Sequence, residues 1–321
     1  MYYNRIYLKT GFPLTIHKEA PYVPDRDMLI QSVPNFSEGR DLKKLEQIVD
    51  AFRAVPGVKL LDYSTDQEFN RCVVTVVGQP EPLKAAMVEA IGRAVALIDM
   101  TDHVGHHPRV GAADVIPFIP VRGCTIEDAD LLARDVAREA AQKYDLPCYL
   151  YEKSASAPYR VDIADVRRGQ FEGLEQKMQD PQWLPDFGPC HPHPTAGASI
   201  IGARMPLICF NVDLYTPNVE LAKKIALRVR SMTGGLRYVK AMGIASEEQN
   251  LAQVTMNLTD YTKSSMYTVF ELIKIEARRY GINVLGSEIV GIVPAQALID
   301  SAEYYLQLSP LSPDQILDNM L

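Results

Sequence analysis

The chain has 321 residues, of which 47% are hydrophobic and 23% charged, with a formal net charge of −7. This is the composition of a folded globular protein, long enough for two domains or one large one. The acidic balance excludes a broad nucleic-acid face, which needs an excess of Lys and Arg, but leaves room for a local basic pocket that takes a small anion.

Residues 1–27 are rich in Pro and Tyr, lack the apolar core of a secretory signal, and read as an irregular arm. "MLIQSVPN" predicts a short strand. In "DLKKLEQIVDAFRA", residues 41–54, Leu42, Leu45, Ile48, Val49 and Phe52 fall at helical spacing, and Pro56-Gly57 stops the helix. "VKLLDYS" and "RCVVTVVG" predict a hairpin. A long helix over 80–99 follows, then "ADVIPFIPV", a strand whose two prolines suggest an edge position or an early exit. "IEDADLLARDVAREAAQKY" predicts a helix and "CYLYEK" a strand. A polar stretch over 152–197 holds two short helices, near 162–168 and 171–178, and then a proline-rich loop. The pattern restarts with "ASIIGARMPLICFNVDL" as strand, turn and strand. A helix, "VELAKKIALRVRS", a second strand pair, "RYVKAMGIA" and "NLAQVTMNLTD", a helix to Gly281, the strand "SEIVGIVP" and a closing helix, "AQALIDSAEYYLQ", complete it.

Both halves therefore read β-α-β-β-α-β. The expected fold class is α+β: two ferredoxin-like βαββαβ subdomains with facing sheets and outer helices. The expected limits are an arm at 1–27, a first subdomain at 28–205, a second at 206–308, and a tail at 309–321. A cleft between the halves is the default place for a ligand. No apolar run reaches the roughly 18–20 residues of a membrane helix. Cys72, Cys124, Cys148, Cys190 and Cys209 are scattered without a CxxC pair, as expected of reduced thiols in a cytoplasmic protein.

Five of the six histidines lie in two short runs. "DHVGHHPRVG" carries His103, His106 and His107, and "FGPCHPHPTAG" carries His191 and His193; His17 stands apart. Zinc is one reading, since i, i+3 and i+4 put ligands on one helical face, but Gly105 and Pro108 argue against a helix there. A proton-transferring imidazole is a second, with Arg109 beside it as a fixed cation suited to a carboxylate. Solvated loop residues are the third. The residues alone leave all three open. In "VPNFSEGR", Asn35 and Ser37 suit a helix N-cap, with anion binding as the alternative. "DQEFNR" places Asp66, Glu68, Asn70 and Arg71 in a turn whose carboxylates are able to pair with an imidazole. GxGxxG and GxxxxGK[ST] nucleotide motifs are absent.

Taken together, "VPNFSEGR", "HHPRVGAADVIPFIPVRG", "PDFGP", "NLAQVTMNL" and "GSEIVGIVP" resemble the glutamate formiminotransferase family, in order from Met28 to Tyr305. The resemblance is to the transferase portion of the bifunctional formiminotransferase-cyclodeaminase, in its single-activity form. It implies transfer of a formimino group from N-formimino-L-glutamate to N5 of tetrahydrofolate, the co-substrate, in histidine breakdown and one-carbon metabolism. It implies two α/β subdomains with a tunnel between them and a cytoplasmic homodimer, with small-molecule substrates and no metal, nucleic acid or membrane partner. The histidine before Pro-Arg, His107, is the implied catalytic base. Asp66 or Glu68 is expected to orient it, and Arg109 and Arg122 to bind substrate carboxylates. The implied folate segment is Gly188, Pro189, Cys190, His191, Pro192, His193, Pro194, Thr195, Ala196 and Gly197. Transfer between 5-formyltetrahydrofolate and glutamate on the same scaffold, and a folate-binding relative without turnover, are the alternatives.

Overall fold

A computed structural model describes residues 28–246 and 250–317. The arm at 1–27 lies outside the described residues. The chain divides into two compact units, with the division between Gly202 and Ala203.

The first unit is built on a seven-stranded sheet. β1 (Leu29–Ser32) and β2 (Asn35–Phe36) are two pieces of one strand path, interrupted at Val33-Pro34. Helix α1 (Leu42–Arg53) leads to the hairpin β3 (Val58–Asp66) and β4 (Arg71–Gly78), which pair antiparallel. Helix α2 (Pro80–Leu97) then leads, through residues 98–112, to β5 (Ala113–Arg122). The spatial order β3-β4-β1/β2-β5 is the ferredoxin-like order that the pattern predicts. Alternation in β4 buries Cys72, Val74 and Val76 against helices that contribute Leu45, Ile48, Phe52, Leu83, Met87 and Ile91. Each fully buried side chain of this size contributes about 1.5–3 kcal/mol of burial free energy.

Helix α3 (Ile126–Tyr144), opened by a Thr125–Asp128 capping box, leads to β6 (Cys148–Leu150). β7 (Ser199–Ala203) pairs parallel with β6 and extends the first sheet. The element pattern reads this strand as the restart of the repeat, although the expected limit at residue 205 keeps it in the first subdomain. It joins the first sheet because "ASIIG" is buried on both faces, as a strand inside a covered sheet must be. The proline-bearing β5 is likewise no edge: it pairs with β1 and β2 on one side and neighbours β7 on the other. Its register with β1 slips where Leu29 faces Arg122 and Ile30 faces Pro120, leaving Val121 as a bulge residue beside the proline. The polar stretch folds into α4 (Ile163–Arg167) and α5 (Leu174–Lys177). These pack Val166, Leu174 and Met178 onto Tyr149, Tyr151 and Ile200.

The second unit has the order β11-β8-β10-β9. Its elements are β8 (Ile208–Leu214), α6 (Val219–Val229), β9 (Val239–Ser246), β10 (Leu251–Leu258), α7 (Met266–Arg278), β11 (Val284–Val290) and α8 (Ala295–Leu306). This is the same ferredoxin-like arrangement with all neighbours antiparallel. Ile208, Phe210, Val212 and Leu214 point into a core with Ile225, Val229, Val269 and Ile273. The opposite faces of these strands carry polar groups, with Glu288 Oε1 accepting from Asn211 at 2.9 Å and from Gln253 at 3.3 Å. In α8 Ala297 is buried while Leu298, Tyr304, Tyr305 and Leu306 are exposed. The tail meets α8 where the Leu311 amide donates to Glu303 at 2.6 Å.

Candidate active site

The two histidine runs, far apart in sequence, meet in the first unit. The Gly111 and Gly197 backbones form an antiparallel bridge. Ala112 N donates to Ala196 O (3.0 Å), Ala198 N to Val110 O (3.1 Å), and Met100 N to Thr195 O (2.7 Å). A Cβ on Gly111 would sit 2.1 Å from Ala198 O, and one on Gly197, where φ is +70°, would sit 2.2 Å from Val110 O. Only glycine permits this approach. The "PTAG" turn is closed by paired bonds between the His193 and Gly197 backbones (2.8 and 3.0 Å), and His193 Nδ1 accepts from Ala196 N at 3.0 Å. Of the ten residues in the implied folate segment, Ala196 and Gly197 are buried in the bridge, while Gly188, Cys190, His191 and Pro194 are exposed.

The loop at 102–107 lies on the turn at 67–70. Asn70, in the left-handed region at φ +49°, accepts from Gly39 N (2.9 Å) and donates to Val104 O (3.1 Å), and its carbonyl bonds His103 Nε2 at 3.0 Å. Because that carbonyl only accepts, Nε2 of His103 carries the proton. Nδ1 then accepts from Arg109 Nε at 3.2 Å, which holds His103 in the neutral Nε2–H form. Burial is the largest influence pushing the His103 pKa down.

Arg109 is 5% exposed and grips Glu172 with two bonds, 2.9 and 2.7 Å, while also reaching Gln170 at 3.1 Å. Sequence reasoning gave this cation to a substrate carboxylate. In the fold it already has one, supplied by the segment after α4. Arg122 ends β5, the strand that begins beside the histidine loop, so it lies at the opposite end of a ten-residue strand from His107. Glu68 pairs with His106 (3.2 Å) rather than His107, and Asp66 Oδ1 caps the turn by accepting from Phe69 N at 2.9 Å. Phe69 in turn meets His107 edge-on, with ring centroids 6.5 Å apart. Ser37 is not the cap of α1. Asp41 accepts from Lys43 N and Lys44 N in that role. Ser37 is buried, and its hydroxyl donates to Gly111 O at 2.7 Å because the strand end it occupies runs against the histidine loop.

His107 is half-buried, and its pKa is held down to about 3. Burial is the main cause, followed by the positive charges of Arg167, Arg71 and Arg109 and by His103. These influences favour the neutral imidazole, in which one ring nitrogen carries a lone pair able to accept a proton. Arg167 and its partner, the fully buried Asp114, went unnoticed in the sequence. Asp114 Oδ1 accepts from Val110 N at 2.8 Å, and Oδ2 pairs with Arg167, tying α4 to the strand that follows the loop. The only signal was an acidic residue at the head of an otherwise apolar strand, "AADVIPF". All five cysteines are free thiols. Among the described residues no group of three His, Cys, Asp or Glu side chains is placed to hold a metal ion, and no helix is long and apolar enough to cross a membrane. A pocket of about 350 Å³ in the second unit, walled by Phe210, Met266, Phe270, Ile289, Leu298 and Tyr305, contains neither histidine run.

Residues 29–204 match the family model for the formiminotransferase domain, N-terminal subdomain, and residues 209–315 that for the formiminotransferase domain. The chain is 46% identical, over 91% of its length and 98% of the relative's, to a glutamate formimidoyltransferase of Streptococcus pyogenes. It is 44% identical, over 91% of its length and 97% of the relative's, to the protein of the same name in Thermoplasma acidophilum. It is 41% identical to the formimidoyltransferase-cyclodeaminase of Mus musculus over 86% of this chain, and it spans about half, 52%, of that longer protein.

Proposed function

The chain belongs to the formiminotransferase family, and on that premise we propose that it is a glutamate formimidoyltransferase, moving the formimino group of N-formimino-L-glutamate to N5 of tetrahydrofolate. The observation that carries this reading is the 46% identity to a relative of that name along nearly the whole of both chains. Folate is a co-substrate here, and the reaction asks the protein for positioning and proton transfer.

His107 is the group placed to move the proton. As N5 attacks the formamidinium carbon, a C–N bond forms and N5 carries a proton it must lose. The neutral imidazole takes that proton. It returns a proton to the glutamate nitrogen as the C–N bond to glutamate breaks, so that charge and atoms balance. A well-placed base of this kind contributes about 10²–10⁴-fold, and alignment of the two substrates at least as much. Asp66 acts at one remove, holding the turn that sets Phe69 against the ring. Arg109 likewise holds the loop through Glu172 and His103. The exposed part of the turn at 188–195 is the proposed wall for folate, rigid through its prolines and pinned to the catalytic loop at the Gly111–Gly197 bridge. The exposed side chains Leu298, Tyr305 and Leu306 of α8 support pairing with a second copy of the chain. Cytoplasmic placement fits the five free thiols.

The test is a product assay on purified protein with formiminoglutamate and tetrahydrofolate, read as the absorbing methenyl form after acidification, beside a parallel reaction with 5-formyltetrahydrofolate and glutamate. Product in the first and none in the second is expected. The reverse would make the enzyme a formyltransferase. Silence in both, with folate still bound, would leave a binding protein.

A further inference from the structure

Two guanidinium groups near His107 have no place in the chemistry so far. Arg71 leads into β4. Its Nη1 reaches Asn35 Oδ1 at a long 3.4 Å, and its cation lies 5.9 Å over the ring of Phe69, the same ring that meets His107 edge-on. Arg167 closes α4 and pairs with Asp114. The Nε atoms of Arg71 and Arg167 are both buried and lack a hydrogen-bond partner among the described residues, as do those of Arg160 and Arg230 elsewhere in the chain. Arg109 has Glu172 and Arg167 has Asp114, but Arg71 makes no ion pair among those residues. The two cations also oppose each other, since Arg167 is the strongest charge acting to lower Arg71. Arg167 is held by Asp114, and Asp66 and Asp114 act on Arg71 only at a distance, so Arg71 is the cation left to pair with an incoming carboxylate while Arg167 adds its field from the other side.

The chemistry of the donor says which carboxylate. Resting on the formimidoyl-transfer reading, the leaving nitrogen is attached to the carbon that bears the donor's α-carboxylate. That group must lie within two bonds of the reacting nitrogen, and therefore beside the base. The γ-carboxylate is farther along the side chain, and the glutamate tail of folate is separated from N5 by the length of the benzoyl linker.

We infer that Arg71 and Arg167 clamp the α-carboxylate of the amino-acid donor beside His107. In the free protein Arg167 and Arg71 rank directly behind burial among the causes that hold His107 down, ahead of Arg109 and His103. An anion between them cancels the two largest of those charges and releases the ring toward neutrality. Base strength then appears only when the donor is in place, which protects the site from idle protonation.

The experiment is a pH titration of the His107 ring by NMR in wild-type protein, alone and with three probes. L-Glutamate is expected to raise its pKa by about one unit or more, the size that an opposing charge at contact gives. 4-Aminobutyrate, which keeps the distal carboxylate and the amine but lacks the α-carboxylate, is expected to leave it in place, as is 4-aminobenzoyl-L-glutamate, the folate tail. No shift with L-glutamate, or an equal shift with 4-aminobutyrate, overturns the inference. A shift with the folate tail alone reassigns the clamp to the other substrate and overturns it too. In kinetics, Arg71→Gln is expected to raise KM for the donor about 10–100-fold, the loss of a charge-assisted carboxylate contact, with KM for folate unmoved and Arg71→Lys restoring part of it. Arg167→Gln is paired with Asp114→Asn so that no buried charge is stranded, and if these variants fail to fold the wild-type titration still decides. The two readings fail separately: product formation with a flat titration sinks the clamp alone, and a glutamate-specific shift without product sinks the transferase alone.

Discussion

The two units share one strand order, and the connection at which they differ most in length is the one that carries the histidine loop. In the first unit, residues 98–112 join the second helix of the repeat to its last strand, and in the second unit residues 279–283 do so. The long version carries His103, His107 and Arg109 and is bonded to the turn at 67–70, to Ser37 and to the bridge at Gly197. The short version carries Gly281, at φ +67° with open space around it. The same scaffold thus appears twice, and the proposed catalytic residues sit on the longer version of one repeated connection.

The sharpest way to break that comparison is His107→Ala. Turnover is expected to fall about 10²–10⁴-fold while circular dichroism and folate binding persist; full activity would remove the long loop from the mechanism. Next come two glycines with nearly the same positive φ, +70° at Gly197 and +67° at Gly281. Gly197→Ala must push a methyl group into Val110 O and adopt a left-handed φ, so a loss of about 2 kcal/mol or more and a strong drop in activity are expected. Gly281→Ala meets nothing and should cost only about 1 kcal/mol by thermal melting, with activity unchanged. Equal effects at both sites would mean that the first-unit bridge contributes nothing special. Asn70→Ala loses bonds to Gly39 and Val104, and a destabilisation of about 1–3 kcal/mol with a weakened kcat is expected.

A further effect is one of pH. The folded-state pKa of His107 is depressed to about 3 from an ordinary value near 6.5. The unfolded chain therefore binds a proton there that the folded chain refuses. The stability associated with the neutral ring is complete above about pH 6.5 and is lost as pH falls from there toward 3. Wild type should lose stability across this window relative to His107→Gln, measured by denaturant melts, and parallel curves would contradict the assigned environment.

Much of this was legible in the sequence, and for a definable reason. Helices and strands follow from local periodicity: the spacing of Leu45, Ile48, Val49 and Phe52 gives α1, and the alternation of Cys72, Val74 and Val76 gives β4. The "HHPR" run and the order of motifs pointed to the family because such patterns are local as well. Pairings between distant segments were not legible. Nothing local says that β7 joins the first sheet, that Ser37 bonds Gly111 rather than capping α1, or that Arg109 meets Glu172. Nor does the sequence show Arg71 and Arg167 near one imidazole, since the two lie on separate elements and each resembles any surface arginine when read alone. The elements, their ferredoxin-like order and the histidine to watch are readable along the chain, because side-chain periodicity and backbone propensity act over a few residues. Only the tertiary structure decided which charges surround that histidine, because electrostatics depends on distance in space and the chain brings β4, α4 and the loop together only when it folds.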